Sequence, residues 1–194
     1  MCLLSAFQRL HPEVEIALTL SDQPLVEVSD RFDVVIHIGE LRASNLICHA
    51  IAPNRRFICA SPAFIERHGL PENPEQLADL PCIALRENNE DVTLWHFTRA
   101  RKTHSVRIRP VLSCNDGNVI RQWGCEGQGI ILRSEWDVAE ALADGSLVRL
   151  LSAWKLPDAD VVALTHQREG LPARTRNFMS FLQAHFRPQP GWRI

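Results

Sequence analysis

Residues 55–85 read RRFICASPAFIERHGLPENPEQLADLPCIAL, and this stretch decides the fold class. Phe57 to Ala60 is a continuous apolar run, the pattern of a strand covered on both faces. It leads straight into Ser61-Pro62. Ser61 can cap the first turn of a helix, Pro62 suits the first helical position, and Gly69 suits a left-handed exit. Asn73-Pro74-Glu75-Gln76 repeats the device, with Gln76 placed to complete a capping box. CIAL at 82–85 is then a second strand. Strands joined by helical crossovers indicate an α/β fold.

The same alternation extends outward. EIALTL (15–20), DVVIHI (33–38), RFICA (56–60), CIAL (82–85), VLSC (111–114), GIIL (129–132) and VVALTH (161–166) read as strands. Ser134 starts a helix whose Val138 and Leu142 share one face and which Gly145 closes. From about 172 to 186, Phe178, Phe181 and Leu182 form the apolar stripe of a helix packed on a sheet. LWHFTRARKTHSVRIRP, from Leu94, alternates apolar and polar residues and reads as an antiparallel edge hairpin turning near 100–103. The tail RPQPGWRI is expected to fray.

The chain has 194 residues, enough for one large domain or two small lobes, and 45% of them are hydrophobic, as a packed core requires. A net charge of −2 leaves no general basic footprint for nucleic acid. Arg101-Lys102 and Arg107–Arg109 read as a solvated hairpin face. No apolar run approaches the ~18–20 residues of a membrane span. The start MCLLSAFQRLHPE lacks the basic region of a secretory signal, so a cytoplasmic location is expected. Six cysteines show no C-x-x-C and no zinc-finger spacing with histidine. Cys59, Cys82 and Cys114 lie in apolar runs, where reduced cysteine packs as a small hydrophobe. No metal and no cofactor is expected, and EGQGI (126–130) lacks the spacing of a dinucleotide loop.

The ordered set RFDVVIHIGEL, SNLICHAIAPNRRFICASPAFIERHGLPENPEQLADLPCI, NDG and EGQGIILRSEWDVAEALADGSLVRLL resembles the effector-binding domain of LysR-type transcriptional regulators. The resemblance is collinear from about Phe7 to Phe186. It implies a type 2 periplasmic-binding-protein-like α/β fold, two lobes joined by two crossover hinge strands. Lobe I would be 1–57 plus 164–194, without the family's first strand, and lobe II would be 58–163. The hinge strands would be RFICAS and VVALTH. The winged helix-turn-helix of the family is not in this chain. The implied function is ligand sensing and oligomerisation: a small-molecule effector, such as a carboxylate, binds between the lobes and modulates transcription. Side-by-side homodimers through lobe faces are implied too, with DNA reached only through the absent domain.

In open α/β sheets ligands sit where strands end and helices begin, which singles out Ser61 and the Asn115-Asp116-Gly117 start. Ser61 reads first as a cap, although a positive helix end also favours an anion. Asp116 disfavours an anion directly beside it. The resemblance adds His37 and Gly39, at the cleft end of a strand, to an effector set completed by Gly127. His37 has an equally plain reading as a strand histidine bonded to neighbouring backbone, and Gly39 as a turn needing positive φ. Two rival functions remain at this level: a solute-binding protein of the same fold, or a small cysteine-dependent enzyme using Cys125. No G-x-S-x-G or H-E-x-x-H supports catalysis, so no enzymatic activity is expected.

Overall fold

The computed structural model describes residues 3–21, 32–39, 45–86, 92–166 and 170–193. In chain order the elements begin α1 (Leu3–Leu10), β1 (Val35–Ile38), β2 (Ile47–Ala52), β3 (Arg56–Ala60), α2 (Pro62–His68) and β4 (Cys82–Leu85). They continue with β5 (Leu94–Arg99), β6 (Lys102–Arg107), β7 (Pro110–Cys114), α3 (Gly117–Cys125), β8 (Ile130–Ser134) and α4 (Glu135–Ala143). β9 (Val148–Leu150), β10 (Val161–Thr165) and α5 (Ala173–His185) complete the chain. The molecule divides into two units, residues 1–53 with 160–191 and residues 54–159 with 192–194. The divide thus falls four residues before the expected 57/58 and 163/164. The reason is pairing: β3 is bonded from Arg56 onward to its neighbours in the second unit, and β10 from Val161 onward to those in the first.

The second unit is built on a five-stranded sheet of order β7-β4-β8-β3-β9. β4 runs parallel to both β7 and β8, whereas β3 runs antiparallel to β8 and to β9. As the apolar run in β3 requires, both faces are covered. Ile58 and Ala60 pack on one side with Phe64, Leu77, Phe97 and Ile130. Phe57 and Cys59 pack on the other with Ile83, Ile120, Ile131 and Val138. The β5–β6 hairpin forms its own two-stranded sheet and delivers Trp95, Phe97 and Val106 to the first of these cores. Its turn falls at Ala100-Arg101, both with positive φ, inside the expected span.

The first unit carries a three-stranded sheet, β1-β10-β2, antiparallel throughout. α5 lies against β2, and Phe7 of α1 packs on Phe178 and Phe181 of α5 at centroid distances of 5.1 and 5.4 Å. The expected strand 15–20 is not formed. None of the described residues pairs with it, and Ile16, Leu18 and Leu20 are exposed, so its alternating pattern meets no ladder. Two strands, β2 and β9, escaped the strand reading because β2 interleaves Cys48 and His49 with its apolar residues and β9 is only three residues long. Parts of the expected strand 33–38 shorten to β1, and helix 172–186 shortens by a residue at each end.

The local stop signals are largely as read. Ser61 Oγ accepts the Phe64 N–H at 3.2 Å, and Gly69 exits α2 at φ 83°. Asn73 Oδ1 accepts from Gln76 N–H at 3.3 Å, but the return bond goes to a different donor: Gln76 Oε1 accepts from Glu72 N–H at 2.7 Å, one residue before the cap. The element that follows is a 3-10 turn, Pro74–Ala78, whose tighter pitch brings the Gln76 side chain past Asn73. Ser134 precedes α4 without capping it, because its hydroxyl is taken by Asn54 Nδ2 at 3.0 Å.

Cys59 and Cys82 are fully buried, and burial pushes each thiol up to about 12. Cys48 is exposed. In an alkylation time course at pH 8, Cys48 should react first, and Cys59 and Cys82 only at the rate of unfolding. Rapid modification of either buried thiol in the native protein would contradict this packing.

The hairpin is pinned to the 3-10 turn by His104 Nδ1 and Glu75 Oε1, 2.9 Å apart. The Glu75 carboxyl is held below its usual range, first by its own backbone N–H and then by His104. A carboxyl depressed by folding contributes stability above its unfolded-state value, roughly 4.3, and loses it as pH falls through the lower folded value. By NMR titration, H104N should move the Glu75 midpoint upward only part of the way, because the backbone bond remains.

Candidate functional site

The strand directions sort the expected site residues into two groups within the second unit. β4, β7 and β8 are parallel, so the residues after them, Arg86, Asn115 and Ser134, share one end of the sheet. β3 runs the other way, so it starts at that end, with Arg56 opposite Ser134, and finishes at the opposite one. Ser61 therefore lies one strand length, about 15 Å, from the Asn115 end. The structure does not bring Ser61 and Asn115 together. A continuous apolar run reveals a strand but not its direction in the sheet, so the sequence alone could not separate them.

At the Ser61 end the helix terminus is occupied by protein. Ser61 Oγ is spent on its own helix, and the loop at Gly127 packs over it. A Cβ on Gly127 would meet Ser61 Oγ at 3.0 Å and Arg67 Nη2 at 2.9 Å, and φ there is 75°. Arg67 Nη2 donates to the Gly127 carbonyl, clamping the loop. Gly129 is constrained equally, since a Cβ would sit 2.9 Å from Ile83 Cγ1 and 3.0 Å from the Pro81 carbonyl oxygen. EGQGI is thus a packing loop whose glycines allow close approach. Ser61 and Gly127 are brought together, as neighbours in this packing.

The Asn115 end is polar and partly open. Asn115 and Asp116 are exposed, and Arg86 beside them donates its N–H to the Cys114 carbonyl at 2.8 Å. Asp116 Oδ1 caps α3, accepting from Asn118 and Val119 N–H at 2.8 and 3.1 Å. The buried Arg133 guanidinium lies against Gly117, where a Cβ would come within 2.2 Å of Nη2. Its charge is met by Asp137, at 2.7 Å from Nε, and Arg121 approaches the same carboxylate at 3.5 Å. Sequence reasoning missed this group, though Arg133 and Asp137 do show ion-pair spacing along the chain.

Close by, Glu135 is fully buried and takes two hydrogen bonds from Arg55, one from Nε at 2.9 Å and one from Nη2. Its own N–H reaches the Arg55 carbonyl at 2.8 Å. Asn54 is buried and joins the two ends of the unit: its Nδ2 donates to the Ala159 carbonyl at 2.8 Å, and its carbonyl accepts from Ala159 N–H at 2.9 Å. Asn115 and Asp116 therefore share the sheet end at which the chain enters and leaves this unit.

In the first unit His37 is 3% exposed within β1, in register with Val162. Gly39 follows at φ 105°, and its N–H reaches the Asp160 carbonyl at 3.2 Å. These two residues also lie at the end where the chain passes between units.

Two substitutions separate these roles. G129A should lower stability by about 1–3 kcal/mol through overpacking against the Pro81 carbonyl and Ile83. E135A, which strips a buried partner from an Arg55 that is still partly hydrated, should cost about 1–3 kcal/mol in urea unfolding. A neutral result for E135A would show that the ion pair merely fills space.

The sequence profile described as the LysR substrate binding domain matches residues 1–187. The chain is 36% identical over 183 residues to the HTH-type transcriptional regulator DmlR of Escherichia coli K12, covering 94% of this chain and 59% of that protein. It is 32% identical over 148 residues to the transcriptional activator TtdR of Escherichia coli UTI89, covering 76% and 48%. It thus spans about half to three-fifths of these relatives. Among solved structures, the regulatory domain of AphB from Vibrio vulnificus matches with a TM-score of 0.79 at 28% identity, over 94% of this chain and 89% of that one. Full-length AphB of Vibrio cholerae matches at 0.81 and 27%, over 94% of this chain and 62% of that one. The periplasmic-binding-protein-like α/β reading is the architecture of these neighbours, and the chain belongs to the LysR family of transcriptional regulators, as its effector-binding domain.

Proposed function

We propose that this domain senses a small organic effector through the crossing ends of its two units, His37 and Gly39 on one and Asn115 and Asp116 on the other. The observation that carries this reading is that each pair lies at the end of its own unit where the chain passes over to the next. The Asn115 side chain carries an amide with N–H donors, a group that suits a carboxylate. Asp116 is committed to its helix and screens that terminus from a second anion. His37 adds a group able to act as donor or acceptor. Ser61 and Gly127 shape the second unit from its far end. An effector with unequal affinity for two arrangements of the units shifts their populations by that difference.

In the longer regulator the shift is passed to DNA-binding domains outside this chain. The domain pairs with a second copy through lobe faces and works in the cytoplasm. Among the described residues no helix is long and apolar enough to cross a membrane. The reading has no catalytic step. Transport by a solute-binding protein and chemistry at Cys125 are the rivals, and the family relationship favours neither.

A thermal-shift screen of carboxylic acids, followed by calorimetric titration of the hit, tests the proposal. An effector at 100 times its Kd should stabilise the fold by about 2.7 kcal/mol. N115A should weaken the hit at least tenfold, about 1.4 kcal/mol. S61A should leave its Kd unchanged while costing about 0.5–2 kcal/mol of stability as a lost cap. The assignment fails if S61A weakens binding as much as N115A does.

A further inference from the structure

At the end of the second unit's sheet where Asn115 lies, one buried charge is only partly used. Arg133 stands near the end of β8, and its side chain is 8% exposed. Nε donates to Asp137 Oδ2 at 2.7 Å. Nη1 and Nη2 have no hydrogen-bond acceptor among the described residues. A guanidinium carries its N–H donors in a rigid planar fork, and leaving most of them unmet in a buried side chain is costly.

Packing sets the direction of this unused edge. α3 begins at Gly117, where a Cβ would fall 2.2 Å from Nη2, 2.9 Å from Cζ and 3.3 Å from Nη1. A side chain at 117 would displace the guanidinium, so the glycine is what lets it lie against the first turn of α3. Gly117 is partly exposed, and Asn115 and Asp116 before it are exposed. The Nη edge thus faces the open start of the helix.

The charges nearby suit one small anion. Arg121 approaches Asp137 as well, at 3.5 Å, so two guanidiniums share one buried carboxylate. Asp116 is the competing negative group. Its Oδ1 is spent on the Asn118 and Val119 N–H groups, and no ion pair joins it to Arg133 among the described residues. Asp116 is hydrated whereas Arg133 is shielded, so the arginine's field dominates close to its own Nη edge. A doubly charged group would feel Asp116 twice over. This favours a single carboxylate over a phosphate dianion.

We propose that Arg133 is the carboxylate anchor of the effector, its Nη1–Nη2 edge taking both oxygens of one carboxylate at the window left by Gly117. Asp137 positions the fork through Nε and leaves that edge for the ligand. The anchor rests on the effector reading above and deepens it, with Asn115 as a neighbouring donor. It lies wholly within the second unit, and so does its test.

Sodium acetate replaces sodium chloride at constant ionic strength in a solution of the full chain, and arginine side-chain and backbone amide signals are followed by NMR. The Arg133 signals should shift saturably with acetate and stay still with acetamide. R133K keeps a charge for Asp137 but loses the fork, and should raise the acetate Kd about tenfold or more, read at the Asn118 amide. G117A keeps the arginine but closes the window, and should do the same; if R133K unfolds, G117A decides. R121Q removes a nearby charge without touching the fork, and should change the Kd by no more than about threefold. Acetate shifts shared alike by the exposed arginines, or an R121Q effect equal to that of R133K, would overturn the anchor. If the carboxylic-acid screen gives no hit while acetate still saturates at Arg133, the effector reading fails and the carboxylate site stands. A hit whose Kd is unchanged in both R133K and G117A removes the anchor and leaves the effector reading.

Discussion

One amide side chain holds the architecture to its function. Asn54 is the first residue of the second unit, and it joins that unit's entry to its exit at Ala159 while also taking the Ser134 hydroxyl. Because these bonds are buried, each group left unpaired would carry a desolvation cost. The result is that β3, β8 and the exit segment meet at one end of the sheet, and everything that follows from strand direction follows from that meeting. Asn115 lies at this end and Ser61 at the other because β3 departs from Asn54 and the parallel strands arrive there.

The charged groups around this end are arranged as closed pairs rather than as a free field. Glu135 and Asp137 sit in the first turn of α4, where the helix terminus favours negative charge, and each is met by arginine. Buried ion pairs of this kind are weak evidence for stability, since desolvation offsets much of the attraction. Their value here is positional. Arg133 fills the space that Gly117 leaves, and so sets how closely α3 approaches β8. Arg55 and Arg193 meet on one carboxylate and so tie the start of the unit to the end of the chain.

Local signals were legible in the sequence because their cause is local. Ser61, Gly69 and Gly145 act within a few residues of themselves, and the continuous run in β3 announced burial on two faces. The hairpin was legible from alternation alone. Non-local facts were not. EIALTL carries the pattern of a strand, but a strand exists only with a neighbour, and no described residue supplies one. The tail read as frayed because proline and glycine dominate it, whereas its anchor is a carboxylate 58 residues earlier in the chain. The candidate site was half legible: Asn115, Asp116, His37 and Gly39 sit at crossing ends, while the capping pattern at Ser61 looks the same at either end of a sheet.

The hairpin turn has a further consequence. Ala100 and Arg101 both adopt positive φ in a position that normally calls for asparagine and glycine. Such backbone costs of order 1–3 kcal/mol per residue and persists only when its surroundings impose it. Here the imposing agents are Trp95, Phe97 and Val106, driven into the core of the larger unit. The turn is therefore a follower in the folding reaction: the ribbon closes after hydrophobic docking, and the transition state should be nearly blind to changes at its tip.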